Sequence, residues 1–134
     1  MSEQTLWIPG RMPGLNDYIG AMNHNRFLGN QMKQENTNLV AMLAKTKLNP
    51  VKYPVTIRFV WQEPNDRRDP DNIIFAKKFI LDGLVTAGIL PNDTQKWIFG
   101  FSDSWISAPP KNSKVTVHPQ IEPGIMVTIK EIVS

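Results

Sequence analysis

The chain reads as an α/β (α+β) domain with a single mixed β-sheet and two main helices, and three observations predict this. Two segments carry apolar residues at helical spacing, residues 30–47 and 71–87, while four others alternate apolar with polar residues or are rich in β-branched and aromatic side chains. Helical and strand segments interleave, which favours helices packed on one sheet over separate helical and strand domains. A length of 134 residues allows one real core and little more, so residues 1–134 are read as one domain.

Taken in order, residues 5–9 form a short apolar run ended by Gly10, Pro13 and Gly14, which predicts a strand and then a loop. That loop is polar, with Asn16, Asn23, His24, Asn25 and Arg26. Met32, Leu39, Val40, Met42, Leu43 and Ala44 recur at helical spacing until Asn49-Pro50 closes the segment, which predicts the first long helix over 30–47. In 53–62, Val55, Ile57 and Phe59 alternate with Thr56, Arg58 and Val60, as a half-buried strand requires.

The second helix is expected over 71–87, where Ile73, Ile74, Ala76, Ile80, Leu81 and Leu84 form the apolar arc and Gly88 follows as the stop. Strands are expected at 97–106 and at 124–133, after a turn at Pro123-Gly124. Between them Ala108-Pro109-Pro110-Lys111-Asn112-Ser113 reads as a basic hairpin connection. Trp7, Trp61, Trp97 and Trp105 all fall in expected strands, where packing is the ordinary role of tryptophan.

Composition narrows the chemistry. Cysteine is absent, which excludes disulfides, thiolate metal sites and cysteine nucleophiles. The N-terminus lacks the basic start and long apolar run of a signal peptide, and no stretch is long and apolar enough to span a membrane, so the expected location is cytoplasmic. The net charge of +3 and pI near 9.3 permit a polyanionic partner without requiring one. His24 and His118 have no metal-ligand spacing to each other or to the acids.

The densest chemistry lies in Arg67-Arg68-Asp69-Pro70-Asp71-Asn72, the helix that follows, and Asp93 beyond its end. Pro70 biases Asp69 to an extended backbone, in which Asp69 and Asp71 project to one side. Asp71 also fits a helix N-cap, where its carboxylate faces free amides and the positive end of the helix dipole, and taken alone such a start is more often a capped turn than a metal site. On a continuous helix Asp71, Lys78 and Asp82 share a face, whereas Lys77 falls in the apolar arc and needs a partner or a path to solvent. Asp82, about 16 Å along such a helix from Asp71, is placed to pair with Lys78 at i, i+4. Phe75 and Phe79 lie on or beside the polar arc, open either to an interface or to burial under a loop.

The same residues resemble the signature of the RusA family of Holliday-junction resolvases: Arg67 to Asn72, Lys78, Asp82-Gly83-Leu84, Ala87-Gly88 and Asp93, with Asn16 in an earlier Pro/Gly loop and a closing Gly-turn strand. The lysine stands about three residues further from the second Asp than in the usual family form, which leaves Lys77 as a rival to Lys78, and the family's second loop acid is here Asn92. The resemblance implies an endodeoxyribonuclease that uses Mg²⁺ to resolve four-way DNA junctions by paired symmetric nicks in recombination and repair, acting as a homodimer. It implies Asp69, Asp71 and Asp93 as metal-binding catalytic carboxylates and Lys78 as the catalytic lysine. Arg67, Arg68, Lys77, Lys111, Lys114 and Asn16 are the expected DNA contacts, which would give strong salt dependence. Two other readings use the same residues: a non-catalytic nucleic-acid-binding module, and a nuclease for another DNA structure.

Overall fold

A computed structural model describes residues 2–107 and 122–132 of the chain. The expected contacts Lys111 and Lys114, the 108–113 connection, His118 and the last residues of the closing strand lie outside them. The elements run β1 (Glu3–Pro9), α1 (Leu15–His24), α2 (Arg26–Lys47), β2 (Val55–Glu63), α3 (Pro70–Ile74), α4 (Lys77–Thr86), β3 (Ile98–Ser107) and β4 (Gly124–Glu131). The four strands make one mixed sheet in the order β1-β4-β2-β3. β4 pairs antiparallel with both β1 and β2, whereas β2 and β3 are parallel. That parallel pair needs a crossover, and α3 and α4 supply it.

The strand patterns translate directly into burial. Val55, Ile57, Phe59 and Trp61 of β2 point to one face with Leu6 and Ile8 of β1 and Ile125, Val127 and Ile129 of β4, and all are buried. Val40 and Ala44 of α2 and Phe79, Ile80 and Leu84 of α4 close this core from the helical side. No helix among the described residues is long and apolar enough to cross a membrane.

Two elements differ from the sequence expectation. The segment expected as a loop between the first strand and the first long helix contains α1, and α2 starts at Arg26 rather than near residue 30. Asn25 separates the two helices: its extended backbone breaks the chain direction and its side-chain oxygen accepts a hydrogen bond from the Leu28 amide at 2.8 Å, a helix N-cap. α1 buries none of its residues fully, although Leu15, Tyr18, Ile19 and Met22 recur along it at helical spacing.

The helix expected over 71–87 is broken. Ala76, Lys78 and Phe79 donate their amides three residues back, to Ile73, Phe75 and Ala76, so the chain tightens into a turn of 3₁₀ type. In such a turn residues three apart eclipse, and here Ile73, Ala76 and Phe79 are all buried. Core packing therefore favours the break. α4 then ends as expected: Gly88, at φ +77, donates to Val85 O and Ile89 to Leu84 O, which satisfies the last carbonyls.

Candidate functional site

The segment bearing Asp69 and Asp71 is held from behind by a buried charge cluster. Glu63 ends β2 on its core-facing side and is 5% exposed, a position where a carboxylate must be paired. Arg68 pairs with it in a two-pronged contact, Nε to Oε1 at 2.8 Å and Nη2 to Oε2 at 2.7 Å, while Nη1 donates to the Met12 carbonyl at 3.1 Å. Arg11 adds two longer contacts to Glu63 at 3.3 Å, and Asp17 stands 4.0 Å from Arg68. The Arg68 fork is thus spent inside the protein. Among the expected DNA contacts of this segment, Arg67 is the one that faces solvent.

Asn16 and Asn72, far apart in sequence, meet here. The Asn72 side-chain oxygen accepts from the Asn16 amide at 2.9 Å, so the start of α1 docks on α3. Gly14 permits this approach, because a Cβ there would stand 2.5 Å from the same oxygen. Asp17 accepts from the Gly14 amide at 2.8 Å and fixes the entry to α1. The Pro/Gly loop and the acidic segment therefore form one surface.

On that surface Asp69 and Asp71 are exposed at the start of α3, with Asp69 extended at φ −71, ψ 152 and Pro70 in the first helical position. Two exposed carboxylates suit Mg²⁺, which commonly binds one or two protein carboxylates, keeps several waters and takes its remaining oxygens from phosphates. Asp93 is placed elsewhere. It lines a cleft of about 500 Å³ with Asp82, Asn30, Lys33 and Thr37, and neither Asp69 nor Asp71 reaches that cleft. Among the described residues no group of three His, Cys, Asp or Glu side chains stands close enough to hold one metal ion. The three expected carboxylates are accordingly split two and one within the chain.

The two lysines sit in different environments. Lys77 lies between the Phe59 and Phe101 rings, 5.0 and 4.4 Å from their centroids, and donates to Asp103 at 2.9 Å. The Trp61 indole N–H holds the other oxygen of the same carboxylate at 2.9 Å. This is the partner that a lysine in the apolar arc requires. Lys78 is half exposed and pairs with Asp82 at 3.6 Å, as its i, i+4 spacing anticipates. Phe79 is buried and Phe75 packs against it and against Tyr18, so neither is free to form an interface.

No model of a known protein family matches this chain, and no curated protein matches it significantly.

The sequence reading missed Glu63, Asp17 and Asp103. The signal for Glu63 was present: it continues the inward series Ile57, Phe59, Trp61, and an acid in that register demands a cation. Asp103 was signalled less directly, by a buried tryptophan that needs an acceptor and a lysine in an apolar arc. Asn92 spends its side chain on its own turn, accepting from the Thr94 amide and hydroxyl. Asp93 is left as the acid of that loop.

Proposed function

We propose that this chain is a Mg²⁺-dependent endodeoxyribonuclease that nicks four-way DNA junctions symmetrically as a homodimer. The observation that carries the proposal is the exposed Asp69-Pro70-Asp71 segment, tied through Arg68 to the buried Glu63 and docked through Asn72 onto the start of α1, which bears Asn16. A pair of carboxylates held on a firm base, beside an exposed Arg67, is the arrangement that hydrolysis of a bound phosphodiester requires. The sequence resemblance described above adds the substrate class and the two-site assembly, since a junction offers two symmetric strands.

In this reading Asp69 and Asp71 hold the ion, which supplies charge neutralisation at phosphate and an activated water. Asp93 is the third expected acid, and Lys78 stabilises negative charge developing on the phosphate. Arg67 and Asn16 contact the DNA backbone, and Arg68 acts from behind by positioning the acids.

The test is cleavage of a labelled synthetic four-way junction with Mg²⁺, against linear duplex, by the wild type and Asp71→Asn. Paired symmetric nicks confined to the junction and lost in the variant are expected, with junction binding retained. Cutting of linear duplex at equal rate would reassign the substrate, and metal-independent binding with no cutting under any divalent ion would leave a binding module.

A further inference from the structure

Burial of Glu63 needs one cation, and the structure supplies two. Arg68 takes both carboxylate oxygens, at 2.8 and 2.7 Å, which satisfies the buried charge. Arg11 reaches the same carboxylate through Nε and Nη2, but both contacts go to Oε1 alone and both are 3.3 Å long. Its side chain stays 37% exposed, against 14% for Arg68. Bringing a second guanidinium against an acid already paired adds repulsion between like charges, and long contacts at a half-wet site offset little of it. Arg11 therefore carries a positive charge that Glu63 does not require.

The surroundings show what that charge faces. Arg11 and Arg68 line an open cleft of about 560 Å³ with Asp17 and Asn72, walled by Met12 and Met32. Arg68 and Asn72 stand immediately before and after Asp69-Pro70-Asp71, so the cleft opens beside the candidate carboxylates. Two donors in its lining have no acceptor among the described residues. They are Arg11 Nη1 and the Nδ2 of Asn72, whose side-chain oxygen already accepts from the Asn16 amide. The acid of the lining, Asp17, is 58% exposed and screened by water, and its Oδ2 accepts from the Gly14 amide.

We propose that Arg11 is a DNA contact: with Asn72 it holds, in this cleft, the phosphate next to the one bound at Asp69 and Asp71. This rests on the nuclease reading for its ligand and adds a binding residue that the sequence did not mark. Successive phosphates of one strand advance about 3.4 Å along the helix axis, so a strand lying across the two carboxylates carries a neighbouring phosphate past the cleft. The chemistry fits a phosphodiester, since a guanidinium with free N–H groups beside a neutral amide donor suits one negative charge spread over two oxygens. Arg68 cannot take this role, because all three of its nitrogens are engaged within the protein.

Binding of a labelled four-way junction in EDTA, over a range of salt concentrations, tests this apart from cleavage, using the wild type, Arg11→Gln and Arg11→Lys. Arg11→Gln is expected to bind roughly tenfold more weakly, with the slope of log K against log salt reduced by about 0.9, the share of one phosphate contact. Arg11→Lys should restore the slope, as a charge at a phosphate does and a fork needed only for its shape does not. An unchanged slope in Arg11→Gln, or a slope that Arg11→Lys fails to restore, would overturn the proposal. So would an Arg11→Gln protein that unfolds or melts more than about 10 °C lower, since Glu63 would then need both arginines. Inorganic phosphate at matched ionic strength should shift the melting temperatures of the wild type and Arg11→Gln equally; stabilisation of the wild type alone would assign the cleft to free phosphate and overturn the DNA contact. A wild type that binds junctions through Arg11 but never cuts them with Mg²⁺ would defeat the nuclease reading and leave this contact standing.

Discussion

The two ends of the α3–α4 crossover carry the acids of the candidate site, and they are built on opposite plans. At the first end Asp69 and Asp71 are exposed on a segment whose rear is a buried Arg68–Glu63 pair, with side chains 14% and 7% exposed. At the other end Asp82 and Asp93 line an open cleft between α2, α4 and the return loop, with Lys78 bound to Asp82 at the surface. The first end has rigid support for exposed charge, as a reacting group needs. The second is a solvated rim, beside which the buried Thr37 hydroxyl has no hydrogen-bond partner among the described residues.

The largest expected effect separates the two ends by chemistry. Asp71→Asn should lower junction cleavage by at least the roughly 10²–10³-fold seen when a single electrostatic stabiliser of a transition state is removed, while Asp82→Asn should change it only a few-fold. Single-turnover rates on a labelled junction would read this. A comparable loss in both variants would merge the two ends into one site and break the comparison.

The support itself is next. Glu63→Ala strands Arg68 in a buried position, and loss of one partner of such a pair costs about 3–5 kcal/mol. For a domain of this size that lowers the melting temperature by about 10 °C or more. Thermal unfolding followed by circular dichroism measures it, and a change under about 1 kcal/mol would show that the cluster does not anchor the segment.

The neighbouring lysines sharpen the contrast further. Lys77→Met leaves Asp103 with the indole alone and removes the contacts to Phe59 and Phe101, an expected loss of about 1–3 kcal/mol by denaturant titration. Lys78→Met should cost no more than about 0.5 kcal/mol, the scale of an exposed helix pair, yet reduce cleavage. The reverse assignment, with Lys77→Met stable and inactive, would make Lys77 the working lysine. Smaller again, Asn25→Ala removes the cap between α1 and α2 and should cost about 1 kcal/mol without touching cleavage.

Much of the fold was legible because it rests on local periodicity. β2 alternates so regularly that its inward residues could be named, and the stop of α4 was marked by Gly88. α1 was missed although Leu15, Tyr18, Ile19 and Met22 recur at helical spacing, because the surrounding Pro13, Gly14, Asn16, Gly20, Asn23 and Asn25 have the composition of a loop. The break after Ile74 was not legible either. Local propensity favours a continuous helix there, and burying Ile73, Ala76 and Phe79 together in a core made of distant strands overrides it.

For the site, the sequence by itself determined the inventory: which acids, which lysines, and the extended entry that Pro70 imposes on Asp69. It also determined the Lys78–Asp82 pair, because four residues on a helix is a local distance. Only the tertiary structure decided that Arg68 serves Glu63, that Lys77 serves Asp103, that Asn72 holds Asn16, and that Asp93 stands with Asp82 apart from Asp69 and Asp71. Those partners lie on different strands and helices, and desolvation, which acts only once the chain has closed around a charge, is what selects them.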